Sequence, residues 1–503
     1  MKLSSLTPII FSIIPVYFLY VHNVHLISPD QVILSSITMI IFSVGLLFGV
    51  NLIFKNLKKS AILVTIYVIL FFTYGHIYNI IDDVSLLNYD IGKHRYLLIA
   101  YFAIFAISTI SIFKKLNNPD NLLKIFMGVG LASILIISVN YAEYNLNLSS
   151  SYNDENSEMD FKTFDDNSLN IYPDIYVVIL DEYSDTEKLD NYFDFDNIEF
   201  LSFLENEGFS IPEKTFSNYS LTFLLLGSML NFEYVNYLTE QVGEENSDRH
   251  HTYKNIHDNK IMNYLNSKGY VTINLDSGWE VTRNIKSANL NLCGNNEFLN
   301  SEFTPLFFKT TLLQPIVIKL YTTDNFERLM CVFNELSNVH TSFDKPVFVF
   351  AHILMPHAPY YFNSNGDYNE SANEEKPSLD EEKILYVEQV KFINTVMKNF
   401  ITNVKTTSEL QPIIIIQSDT GSNVGIDWSN ISEDEMIDRL DIINYYHIPY
   451  EINEKLDNEM SPVNSFPFIL NNLFGEDIEY LDDRYFFSSY EKPYKFTELK
   501  IDP

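Results

Sequence analysis

Ile175-Tyr-Val-Val-Ile-Leu-Asp-Glu182 is an unbroken apolar run that ends in two acids. Six residues rich in β-branched side chains, with no polar alternation, predict a strand covered on both faces of a sheet. Three more runs have the same form, at Tyr270–Leu275, Pro346–Leu354 and Pro412–Gln417. Between them lie helical periods at Asn197–Glu207, Leu221–Leu230, Asn259–Lys268, Leu379–Val404 and Ser465–Leu473. Buried strands alternating with helices predict an α/β domain, a mostly parallel sheet with helices on both faces. Three strands run into polar residues: Asp181-Glu182, His352 and Ser418-Asp419. Ligands of open α/β sheets bind beyond the carboxyl ends of the strands, so these side chains are the candidate site.

A different composition precedes this region. Apolar stretches at Leu6–Val21, Val32–Phe54, Ala61–Ile80, Tyr96–Phe113 and Leu122–Val139 are each close to the ~17–25 residues that cross a bilayer as a helix. Residues 1–140 are therefore read as an all-α transmembrane region of about five helices. Lys2, Lys55, Lys58, Lys59, Lys114, Lys115 and Lys124 fall at the N-terminus and in alternate loops. Lys93 and Arg95 stand on the other side, with Asp82, Asp83 and Asp90. The positive-inside bias predicts a multi-pass plasma-membrane protein with a cytoplasmic N-terminus. Five crossings then place the remainder outside. Residues 141–170, polar and acidic without apolar period, read as a linker, and 171–503 as the extracytoplasmic domain.

Residues 1–140 hold nine Lys/Arg and five Asp/Glu, leaving 24 basic and 61 acidic residues beyond them. So acidic an exterior portion excludes nucleic acid, whose phosphates need basic stripes. Cys293 and Cys331 both lie in that portion, where an oxidising exterior permits a disulfide; their spacing fits no metal motif and leaves the pairing open.

Thr222, in Asn218-Tyr-Ser-Leu-Thr-Phe, falls at a predicted helix start. Free amides there stabilise an ionised hydroxyl and an incoming phosphate. His352 and His357 lie in Phe350-Ala-His-Ile-Leu-Met-Pro-His-Ala-Pro359, where two prolines put His357 on a loop. Asp419 sits in Ile416-Gln-Ser-Asp-Thr-Gly-Ser422.

In this order, the acid-ended strand, Asn-Tyr-x-x-Thr, Pro-His-x-Pro-Tyr and Ser-Asp-x-Gly resemble the sulfatase-like branch of the alkaline phosphatase superfamily. The layout is similar to its membrane-anchored members, phosphoglycerol transferases of the lipoteichoic acid synthase type and lipid A phosphoethanolamine transferases. The resemblance spans roughly 171–492 and includes Met460-Ser-Pro-Val-Asn-Ser-Phe466 and Asp482-Asp-Arg-Tyr-Phe-Phe-Ser488. It implies a metal-dependent phospho-group transferase or phosphodiesterase acting on envelope lipids or glycans. Thr222 would be the nucleophile and a metal contact, Asp181, Glu182 and Asp419 metal ligands, and His357, assisted by His352, the substrate-binding group. Thr420 stands where the family has histidine or asparagine, and would be a further metal ligand through its neutral hydroxyl oxygen. An oxygen in place of an imidazole favours Mg²⁺, Mn²⁺ or Ca²⁺ over Zn²⁺. It also leaves two other readings open: a catalytically inactive relative that binds an anionic envelope ligand, and a hydrolase of sulfuric or phosphoric esters.

Overall fold

The computed structural model describes residues 6–27, 29–81, 84–86, 89–90, 93–149, 172–294, 303–369, 377–449, 456 and 460–501. Two compact units emerge: Met1–Tyr152 with Asn296–Tyr321, and Asn153–Asn295 with Thr322–Pro503.

The first unit is helical, with α1 (Thr7–His22), α2 (Pro29–Phe54), α3 (Leu57–Ile81), α4 (His94–Ile110, continued by a π turn to Lys115) and α5 (Pro119–Ser149). Four of these, α2 to α5, are long and apolar enough to cross a membrane, whereas α1 has sixteen residues. Small polar side chains (Ser12, Ser35, Ser43) are buried between the helices while Ile33, Ile37, Ile41 and Phe48 are exposed. That inversion of the usual pattern suits a bundle solvated by lipid. The acidic stretch read as a linker begins inside α5, which runs to Ser149. Its remainder lies outside the described residues. The described part of Asn296–Tyr321, from Phe303 on, read from the sequence as part of the α/β domain, groups with the helices instead. Its apolar run, Phe303-Thr-Pro-Leu-Phe-Phe, is too short to stand out as a membrane segment.

The second unit is built on a six-stranded sheet: β1 (Ile175–Leu180), β2 (Val271–Leu275), β3 (Leu290–Leu292), β4 (Val347–Ile353), β5 (Ile413–Ser418) and β6 (Asn444–His447), in the order β3-β2-β4-β1-β5-β6. All pairs are parallel except β5 with β6. The α/β architecture read from the apolar runs is the observed one. Every residue of β1, β4 and β5 is buried. Ile175, Val177 and Ile179 pack with Phe223–Leu226 of the helix Thr222–Met229 on one face, and Tyr176, Val178 and Leu180 with Val390, Ile393 and Met397 of the helix Leu379–Thr407 on the other. Each fully buried aliphatic side chain contributes about 1.5–3 kcal/mol, enough to hold β1 in register between two neighbours. In that register Ile179 aligns with His352 on one side and Gln417 on the other.

Cys293 and Cys331 form a disulfide, closing the pairing that the sequence left open.

Candidate active site

Strand parity selects the side chains that meet. Ile175, Val177, Ile179, Phe348, Phe350, Ile413 and Ile415 share the face covered by the Thr222 helix. With a period of two, His352, Asp181 and Asp419 continue that face at the carboxyl ends of β4, β1 and β5. Their ligand atoms lie within 4.8 Å of one another, and all three residues are buried.

The helix Thr222–Met229 starts over this cluster, with Thr222 as its first residue. Thr222 Oγ1 donates to Asp419 Oδ2 at 2.5 Å. Asp419 Oδ1 accepts from the backbone N–H of Glu182 (2.9 Å) and of Thr420 (2.7 Å), so both carboxylate oxygens are fixed. The Thr420 hydroxyl stands 3.5 Å from the same Oδ1. Loop and strand are further tied where His357 N–H donates to Asp181 O at 3.1 Å and Asp181 N–H to Ile353 O at 3.0 Å.

Glu182 takes a left-handed backbone (φ +61°), a conformation costly for a residue with a Cβ. It is held there from both ends: its N–H by Asp419, its carbonyl by the Tyr386 hydroxyl at 2.7 Å. Its carboxylate is not one of the three clustered groups and has partners of its own. Oε1 accepts from Arg439 Nη1 at 2.7 Å, and Oε2 from Asn423 N–H at 3.4 Å. Arg439 also donates to Gly421 O, and neither it nor Glu182 reaches solvent. His357 Nε2 lies 4.0 Å from Glu182 Oε1, with its side chain 39% exposed, so it lines the mouth of the site.

The electrostatics follow from this packing. Burial, and then the charge of Asp419, hold the Asp181 carboxyl well above the usual carboxylate range. Burial pushes His352 down to about 4, leaving a neutral imidazole at physiological pH. Burial opposes the charge on His357, but Glu182 and Asp181 outweigh it and the net shift is upward. His352 Nδ1 is hydrogen-bonded to Thr282 Oγ1 at 3.0 Å, which orients the ring; its buried Nε2 has no hydrogen-bond partner among the described residues. Two adjoining buried carboxylates and an unpartnered imidazole nitrogen fit a divalent cation, which would relieve both the like-charge repulsion and the orphaned nitrogen. His352 brings one imidazole nitrogen to the cluster beside the two carboxylates, a donor set open to Zn²⁺ as well as to harder cations.

All seven residues singled out from sequence, Asp181, Glu182, Thr222, His352, His357, Asp419 and Thr420, converge at this sheet edge. Arg439 was not foreseen. It lies in the last turn of Glu433–Leu440, a helix with four acids, which reads as a solvated face. Thr282 and Tyr386 were also not foreseen, because each acts through a contact with a residue distant in sequence.

No protein-family model and no curated protein sequence matches the chain. Several solved structures do. The periplasmic domain of EptC from Escherichia coli, in complex with zinc, is 12% identical at a TM-score of 0.43, covering 66% of this chain and 94% of that one. The integral membrane lipooligosaccharide phosphoethanolamine transferase EptA from Neisseria meningitidis is 12% identical at 0.41, covering 94% and 95%. An alkaline phosphatase superfamily protein from Vibrio parahaemolyticus is 10% identical at 0.37, covering 64% and 74%. At such TM-scores these matches carry no argument about chemistry, which rests on the side chains above.

Proposed function

We propose that this chain is a membrane-bound, metal-dependent phospho-group transferase or phosphodiesterase that uses Thr222 to act on envelope lipids or glycans. The observation that carries the reading is the 2.5 Å hydrogen bond from Thr222 Oγ1 to Asp419, itself within the Asp181–His352–Asp419 cluster. A hydroxyl at a helix start, against a carboxylate and beside a cation site, is an arrangement for making a nucleophile.

Asp181, His352 and Asp419 would hold the cation, with Thr222 Oγ1 alongside. When bound, a divalent cation polarises phosphoryl oxygens and lowers the pKa of a hydroxyl, contributions worth several kcal/mol. The residues of the chain divide the remaining work. Asp419 Oδ2 fixes the Thr222 hydroxyl and lies on the path of its proton. Thr222 Oγ1 attacks phosphorus; the new P–O bond replaces the one to the leaving alcohol, which takes up a proton. His357, at the mouth, hydrogen-bonds the phosphoryl oxygens or the leaving oxygen. An acceptor hydroxyl or water then displaces Thr222 in a second step of the same kind. Arg439, by occupying Glu182, keeps the β1 end rigid. Position 222 is neither the cysteine nor the serine from which sulfatases make formylglycine, which favours phosphoryl over sulfuryl transfer.

Four helices able to cross a membrane, among the described residues, exceed what an anchor needs, and this supports a lipid-borne donor or acceptor at the outer surface. The test is phosphodiester turnover by the full chain in detergent, with divalent metal content measured alongside. Thr222→Ala is expected to abolish turnover and keep the metal; unchanged turnover would remove the nucleophile assignment.

A further inference from the structure

The chain from Phe303 to Tyr321 is bound to the membrane helices by backbone as well as side chains. Phe307 packs its ring 5.4 Å from that of Phe72, and Thr304 Oγ1 lies 3.3 Å from Ser35 Oγ. The contact at Gly75 is more specific. Gly75 N–H donates to Thr310 O at 3.0 Å, and Leu312 N–H donates to Phe71 O at 2.9 Å. Phe71 and Gly75 are an i, i+4 pair of α3, whose carbonyl and amide point at one another in a regular helix. Here the turn 310–312 bonds to both. A Cβ at Gly75 would stand 2.2 Å from Lys309 O and 2.7 Å from the Thr310 carbonyl carbon, so only glycine admits the turn.

The turn itself leaves no amide open. Thr310 N–H donates to Phe307 O, Thr311 N–H to Phe308 O, Leu313 N–H to Thr311 Oγ1 and Gln314 N–H to Thr311 O, all within 3.0–3.1 Å. Both threonine hydroxyls are spent locally, on Phe307 O and Phe308 O. With Leu312 N–H on Phe71, each amide from Thr310 to Gln314 has a protein acceptor. Non-helical backbone persists in hydrocarbon only on that condition.

Depth and surface agree. Gly75 and Phe71 lie six and ten residues before the end of α3, about 9 and 15 Å along its axis at 1.5 Å per residue. That is within the ~30 Å hydrocarbon layer of a spanning helix. The outward face of the segment carries Leu313, Ile316 and Leu320, at i, i+3 and i+7, which are 36%, 57% and 51% exposed; the one charged side chain exposed among them, Lys319, stands at the far end beside Leu320, where its long stem can reach the membrane surface. Ile33 and Ile37 near the start of α2, and Ile77 and Ile80 near the end of α3, are exposed as well.

We propose that Phe303–Leu320 is a re-entrant membrane element, and that Leu313, Ile316 and Leu320 contact the acyl chains of the leaflet in which α3 ends. With helices alternating in direction, α3 and α5 end on the same side, so an element returning from beyond α5 enters the bilayer from that side.

The test is spin-label accessibility on the full chain in phosphatidylethanolamine–phosphatidylglycerol vesicles. The described cysteines are both in the disulfide, so an introduced thiol is labelled selectively. A nitroxide at Ile316→Cys is expected to collide with oxygen and to be several-fold less accessible to a water-soluble nickel chelate than one at Asn334→Cys, matching a label at Ile41→Cys on α2. Equal nickel access at 316 and 334 would overturn the proposal. Adding Gly75→Leu is expected to raise nickel access at 316 several-fold; no change would overturn the seating on Gly75. If Gly75→Leu does not fold, the comparison of 316 with 334 still decides the membrane contact.

Discussion

Thr222 and Asp419 are 197 residues apart in sequence and joined by a 2.5 Å hydrogen bond from the threonine hydroxyl to the aspartate carboxylate. The bond exists because β5 and β1 pair in parallel register while the helix begun by Thr222 packs on the face that they share. Asp419 is therefore both a candidate ligand and the acceptor that orients the nucleophile.

Asp419→Asn separates these roles from folding. The amide oxygen can still accept from Glu182 and Thr420, but its NH₂ then faces Thr222 and reverses that hydrogen bond. Near-native thermal stability is expected, with turnover falling on the order of 10³-fold or more. Activity within tenfold of wild type would show that Thr222 is not held for catalysis by this carboxylate.

Arg439→Met leaves the buried Glu182 carboxylate without its counter-ion. Breaking a buried pair in this way costs about 3–5 kcal/mol. Chemical denaturation should record that loss, and the double variant Arg439→Met/Glu182→Leu should recover part of it. A double variant no more stable than the single one would mean that the arginine matters through packing alone.

Cation binding should be visible as stability. The full chain stripped by chelator is expected to melt lower than the same chain with added Mn²⁺ or Zn²⁺, the gain rising by about 2.7 kcal/mol at a hundredfold excess over Kd. His352→Ala should remove most of that gain, since it deletes Nε2, the imidazole nitrogen of the cluster. An identical metal-induced shift in the variant would take His352 out of the ligand set.

Asp441 gives a pH dependence independent of the cation site. Burial, and then the charge of Asp185, push its carboxyl up to about 8. The folded protein thus keeps a proton that the unfolded chain releases near pH 4. This contribution is fully present below about pH 4 and is lost as pH rises through about 8. Asp441→Asn should flatten stability across that window and raise it at the alkaline end. A variant with the wild-type pH profile would contradict the shift.

What could be read in advance was whatever rests on local pattern. The four main strands appear as apolar runs because a doubly covered strand has no polar alternation, and their bounds fall within a residue or two of those observed. β6, Asn-Tyr-Tyr-His, lies at the edge of the sheet without such a run and shows itself in its pairing with β5 and its bridge to Ser210. His352 was legible as a strand-end histidine, but its place in the carboxylate cluster depends on its register opposite Ile179. Arg439 looks solvated by composition; its burial depends on the folded β5–β6 edge. The turn at Gly75 was hidden for a related reason, since an ordinary glycine in an apolar helix says nothing about which distant segment approaches it.

The central claim is covalent: a phospho-group passes through Thr222. Peptide mass spectrometry on the full chain, quenched in acid during turnover of a phosphodiester donor, tests it most directly. The account predicts a phospho-adduct on the peptide containing Thr222, absent from Thr222→Ala, which should also fail to turn over the donor. Undiminished turnover by Thr222→Ala, with no adduct on the wild-type peptide, would contradict it.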